Sequence, residues 1–242
     1  MEIVWIILIV VFASVIKGLT GFGFALVALP PLLFWYTPQE IIPVLIMSNL
    51  FASFIIVLQK KDRVLVDSRY RTLIYYGAVF TIFGAVMLKN VAGNHLIIVM
   101  SVFFIVLSLI TLIGAKYSIL PSKLNVKIAG AICGFLTGSI SVSGPPMALF
   151  LNAVNIDNQK FREIFAWFNI VTTIVAIFGY FLLDMLSKDI FKLTLLFLPI
   201  LYLGTFFGKR LNKYISVKLF KTIAISMSFI SSVFLLLKLL YL

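Results

Sequence analysis

Apolar runs of membrane-spanning length recur from one end of the chain to the other. Six of them read as uninterrupted helices, at Ile41–Leu58, Leu73–Leu88, Leu96–Ile113, Phe165–Leu183, Leu193–Phe207 and Leu219–Leu237. Each is close to the ~20 residues that a helix needs to cross a hydrocarbon core of ~30 Å. The runs do not alternate apolar with polar residues, which a membrane β-barrel would require. With 62% of its residues hydrophobic and 12% charged, the chain has too little polar surface for an aqueous fold. A bilayer removes that constraint, so the expected class is an all-α membrane protein forming a single domain over 1–242.

Two further apolar stretches are different. Ile3–Tyr36 would be about 50 Å long as one straight helix, too long for the core. It is interrupted at Lys17-Gly18-Leu19-Thr20-Gly21-Phe22-Gly23. Val126–Ile156 is interrupted at Thr137-Gly138-Ser139-Ile140-Ser141-Val142-Ser143-Gly144-Pro145-Pro146. Both interruptions are rich in residues that weaken helices.

The two stretches open two halves of similar layout. Gly18 and Gly134 are 116 apart, as are Pro30 and Pro146. Asn49 and Asn169 are 120 apart, and Gly84 and Gly208 are 124 apart. The order is kept while the offset drifts, which points to a duplicated unit, with repeats at about 1–115 and 124–242.

Charge selects between two topologies. If all eight apolar stretches cross, the loops on the two sides carry ten and eight Lys/Arg, which orients nothing. If the two broken stretches are re-entrant, one face collects Lys60, Lys61, Arg63, Arg69, Arg71, Lys116, Lys123, Lys127, Lys160, Arg162, Lys209, Arg210, Lys213, Lys218 and Lys221. The other face keeps only Lys89, Lys188, Lys192 and Lys238. Fifteen against four is the asymmetry that the positive-inside rule expects. Each half is then a broken re-entrant helix pair plus three transmembrane helices. Three is odd, so the halves are inverted relative to each other. Both termini fall on the extracytoplasmic face. The chain has no basic n-region or cleavage site ahead of Ile3–Ile16, so the first segment is expected to be retained.

Irregular backbone at membrane depth is tolerated only inside protein or beside a wet cavity. A half-helix that starts after each break aims free N–H groups at the midplane, which favours an anion. The expected substrate-binding residues are Lys17, Thr20, Gly21 and Gly23 at the first break, Ser139, Ser141, Ser143 and Gly144 at the second, and the amides Asn49 and Asn169. The glycines permit close backbone approach, the hydroxyls add donors, and Lys17 compensates negative charge. Equally, the glycines and prolines could only kink and pack helices, Lys17 could snorkel, and the two amides could bond neighbouring helices. Gly204-x-x-x-Gly208 reads as close helix packing.

Other function classes fit less well. The net charge of +12 is spread over short loops between apolar runs, so nucleic acid is not an expected partner. A single cysteine, Cys133, and a single histidine, His95, leave no His- or Cys-based metal site, and no cofactor is expected. Ser141 or Ser143 would lack a partner base for nucleophilic catalysis. No Walker-type phosphate loop is present. The alternative to a carrier is an anion channel, which also uses buried irregular backbone.

At its breaks the sequence resembles the TauE/SafE sulfite exporter family of permeases. The matching pieces are Gly18-Leu19-Thr20-Gly21-Phe22-Gly23 followed by Pro30-Pro31, and Gly134-Phe135-Leu136-Thr137-Gly138 leading to Gly144-Pro145-Pro146. The two motifs do not match each other residue for residue, since aligning Gly18 with Gly134 puts Gly21 opposite Thr137. The resemblance implies secondary transport of small sulfur-containing anions, such as sulfite or organosulfonates, across a bacterial plasma membrane.

Overall fold

A computed structural model describes residues 2–21, 23–58, 68–113, 122–154, 156, 158–211 and 217–241. Phe22 of the first break, and Lys60, Lys61, Arg63, Lys116 and Lys213 of the basic face, lie outside the described residues. Ten helices are present among the described residues, and no strand. They are α1 (Glu2–Thr20), α2 (Phe24–Leu32), α3 (Pro38–Leu58), α4 (Ser68–Asn90), α5 (Gly93–Ile113), α6 (Lys123–Ile140), α7 (Gly144–Ala153), α8 (Asn158–Leu182), α9 (Lys188–Leu211) and α10 (Val217–Tyr241). Five are long and apolar enough to cross a membrane by length and composition, namely α1, α4, α5, α8 and α9.

Local chemistry sets the helix starts. Ahead of α3 the Thr37 N–H and hydroxyl both donate to Glu40 Oε2 at 2.8 Å, the carboxylate half of a capping box, with Pro38 in the first turn. Ser122 caps α6 by accepting from the Asn125 N–H at 3.1 Å. Ser187 does the same for Ile190 at the start of α9.

Each break is narrower than the sequence pattern implies. Helix α1 runs through Lys17, Gly18 and Thr20, and among the described residues only Gly21 and Gly23 are non-helical there. Gly21 and Gly23 turn the chain there with φ of 83° and 97°, in the left-handed region open to glycine. At the second break only 141–143 are non-helical. Ser141 takes a left-handed φ of 59°, and the N–H groups of Ser141 and Val142 return to the carbonyls of Thr137 and Leu136. That is a helix C-cap made without glycine. Pro145 and Pro146 fall in the first turn of α7, where their missing N–H is not needed. Further on, Pro30 and Pro31 withdraw the donors that the carbonyls of Leu26 and Val27 would meet in α2.

The short helices α2 and α7 fold back rather than continue. Glu2, in the first turn of α1, lies close enough to Tyr36, just after α2, to affect its titration. Burial raises the Tyr36 phenol above its ordinary range, and the carboxylates of Glu40 and Glu2 add to the rise. At the second pair, Val126 and Ala129 from the start of α6 share an apolar cluster with Leu151, Val154 and Ile156 from the end of α7.

The long helices pack crosswise between the two halves. Helix α1 lies on α9, and α6 lies on α4. Glycines line both contacts. A Cβ on Gly18 would meet the Thr205 carbonyl at 2.3 Å, and one on Gly208 would meet the Val15 carbonyl at 2.3 Å. Across α4 and α6, a Cβ on Gly134 would meet the Gly77 carbonyl at 2.0 Å, and one on Gly84 would meet the Phe135 carbonyl at 2.3 Å. Helices α3 and α8 cross at Asn49 and Asn169, and α5 packs on α10.

Candidate functional site

The expected site residues separate into two neighbouring places. The first is a buried polar network at the crossing of α3 and α8. Lys17 is 1% exposed, and its Nζ donates to both the carbonyl and the side-chain Oδ1 of Asn49. Asn49 Nδ2 donates onward to Asn169 Oδ1 at 3.4 Å. Asn169 Nδ2 donates to Ser53 Oγ at 3.3 Å, and Ser53 Oγ donates to the Asn49 carbonyl at 2.9 Å. Thr173 Oγ1 also donates to Asn169 Oδ1 at 3.3 Å. The ammonium therefore meets oxygen acceptors, and the amide pair ties one half to the other. Ser53 and Thr173 stand 120 apart, the same offset as the two asparagines.

The second place is a cavity of about 110 Å³, several times the ~10–15 Å³ that one water needs on this measure. Its walls come from both broken units and from the α5–α10 pair. Ile16, Thr20, Gly23 and Leu26 line it from the first unit, and Pro145, Ala148, Leu149 and Asn152 from α7. Leu107, Ser108 and Thr111 of α5 and Ile225 of α10 complete it. Among the described residues, no charged side chain lines this cavity. Lys17 does not line it and directs its ammonium to Asn49.

Donors facing the cavity are few. Thr20, Ser108 and Thr111 donate their hydroxyl protons to the carbonyls of Ile16, Ile225 and Leu107. The Asn152 amide and the first turn of α2, which begins at Gly23 and Leu26, remain. First-turn N–H groups have no partner inside their own helix.

Of the expected residues, Thr20 and Gly23 line the cavity, and Gly21 forms the turn beside it. Ser139, Ser141, Ser143 and Gly144 are buried at the second break and do not line it. The Ser139 hydroxyl donates to the Phe135 carbonyl at 2.7 Å. The Ser141 hydroxyl has no partner among the described residues, and Ser143 opens α7 without a side-chain cap bond. Sequence reasoning missed Asn152, Ser108 and Thr111. The signal was there in part, since each is a polar residue inside an apolar run. Cys133 packs in an apolar cluster with Val126, Met147 and Phe168.

The family model for Sulfite exporter TauE/SafE matches residues 6–235, nearly the whole chain. The chain belongs to the TauE/SafE sulfite exporter family. It is therefore a multi-pass membrane protein of a transporter family, and both broken units fall inside the matched region. No curated protein and no solved structure shows a significant match to it.

Proposed function

We propose that the protein is a secondary transporter of small anions of the sulfite or organosulfonate type, with the anion held near the midplane between the two broken units. One observation carries this reading. A single cavity is walled by the N-terminal turn of α2 from one half and by α7 from the other. A half-helix from each half bordering one largely apolar opening, with the α2 N-terminus at its edge, suits a small anion and a rocking mechanism. The N–H groups of α2 and the Asn152 amide supply donors there. Lys17, one turn before the break, supplies positive field.

The inverted-repeat topology belongs to the same proposal. It is supported by the nearness of Glu2 to Tyr36 across the α1–α2 pair. The crosswise pairs α1·α9 and α4·α6, lined by glycines at matching offsets, give it further support. The uneven basic charge favours an orientation with the basic face cytoplasmic, and the family implies a plasma membrane.

Counterflow in liposomes tests the function. Purified protein should exchange labelled sulfite or a small organosulfonate saturably. Asn152→Leu should raise KM about tenfold or more, because a hydrogen bond to a charged group contributes ~1.5–3 kcal/mol. A current proportional to voltage with no saturation would make the protein a channel instead.

A further inference from the structure

Between α5 and α10 runs a polar seam of which the cavity accounts for only one end. Ser108 of α5 donates to the Ile225 carbonyl of α10 at 3.5 Å, and both residues line the cavity. The two helices are antiparallel. Gly93, at the start of α5, lies beside Pro38 and Gln39, and Lys238, at the end of α10, reaches the Phe34 carbonyl. Both therefore stand at the end of the molecule that carries residues 34–39. Seven residues back along α5 from Ser108 is Ser101, and seven forward along α10 from Ile225 is Ser232. Each step is two turns, about 10 Å, and keeps the same helix face. Ser101 and Ser232 thus face each other, with Ser228 one turn nearer the cavity.

These three serines are 1%, 0% and 0% exposed for Ser101, Ser228 and Ser232. None of their hydroxyls has a hydrogen-bond partner among the described residues. Other buried hydroxyls return to the carbonyl four residues back, as at Ser14, Thr137, Ser139, Thr172 and Thr194. Ser48, Ser141 and Thr205 lie unpartnered among the described residues, but singly, on other helices or at the second break. A hydroxyl that does not fold back onto its own helix is left to find its partner off that helix. Leaving it unpaired in an apolar interior costs about 1–3 kcal/mol. Three such groups on adjoining turns of two facing helices call for a polar occupant. Ser108 and Ser232 also stand 124 apart, the offset that relates Gly84 to Gly208, so the two halves contribute to the seam at matching positions.

We propose that the α5–α10 seam is a water-accessible route joining the cavity to the face that carries Gly93 and Lys238. Phe104 of α5, between Ser101 and Ser108 in sequence, is buried. The passage of solute along the seam rests on the transporter reading, whereas the passage of water does not.

Single cysteines test the route in reconstituted protein. The background is Cys133→Ala, which removes the only native thiol. Cysteine replaces Ser101, Ser228 or Ser232 with little change in volume. The reference positions are Val102 and Ile230, which lie on the same helices and face outward, 48% and 53% exposed. A membrane-impermeant methanethiosulfonate is the probe. The seam cysteines should react about tenfold faster than the reference ones, because the reactive thiolate forms only where water reaches the sulfur. Equal rates at the two sets of positions would overturn the route, even if anion counterflow is intact. Fast seam labelling without any counterflow would leave the water route standing and sink the transporter reading.

Discussion

An ammonium group in the interior of a membrane protein must be hydrogen-bonded, since an unpaired buried charge is far more costly than a paired one. Lys17 meets that demand with two oxygens of Asn49, and Asn169, Ser53 and Thr173 hold Asn49 in place. This arrangement makes the two partners unequal under mutation. Asn49→Leu leaves the ammonium buried with its side-chain acceptor gone, which should cost about 1.5–3 kcal/mol. Lys17→Met removes the charge and keeps most of the volume, so it should cost clearly less. Unfolding midpoints in detergent, followed by tryptophan fluorescence, should rank Lys17→Met above Asn49→Leu. The reverse ranking would mean that Lys17 draws its stabilisation from some other group. Lys17 and the two asparagines were legible in the sequence because strongly polar residues are rare in such runs. Ser108 and Thr111 were not, because a serine or threonine in a helix ordinarily bonds its own backbone. Only the packing of α5 against α10 and α7 places them at a cavity wall.

At the scale of helices, the sequence marked both breaks but overstated their width. The sequence pattern puts Gly18 and Gly138 within the breaks, yet both are helical and, like Gly134, lie against the backbone of a neighbouring helix. The missing Cβ serves packing there, and only Gly21 and Gly23 use the left-handed dihedral. Periodicity alone cannot separate these roles, because the second helix of each contact lies in the other half of the sequence. The distinction predicts opposite responses to alanine. Gly134→Ala and Gly208→Ala should destabilise by about 1–3 kcal/mol, since overpacking must push two helices apart. Gly179→Ala, whose Cβ would sit 3.4 Å from the Ala85 Cβ, has ordinary room. It should be neutral or gain up to ~1 kcal/mol of helix propensity. Thermal melts of the three variants decide the matter, and a stabilised Gly134→Ala would contradict the close contact of α4 and α6.

At the scale of the molecule, the crosswise packing and the charge asymmetry make a joint claim about topology. If both short helices return, the chain crosses six times and its termini share a face. Fifteen Lys/Arg then lie opposite to Lys89, Lys188, Lys192 and Lys238. Lys238 donates to the Phe34 carbonyl and sits over the Phe34 ring, so the end of α10 and the end of α2 meet on one side. Gln39 donates to the Leu88 and Val91 carbonyls, which brings the start of α3 and the end of α4 to that side as well. On the six-crossing topology, the positive-inside rule would make it the extracytoplasmic side. A fluorescent protein that matures only in the cytoplasm, fused after Leu242, should therefore stay dark. A phosphatase that is active only outside should be active at the same position. The opposite result at Leu242, with Glu2 still outside, would require an odd number of crossings. One broken pair would then cross instead of returning, and the two halves could no longer be inverted copies around a common cavity.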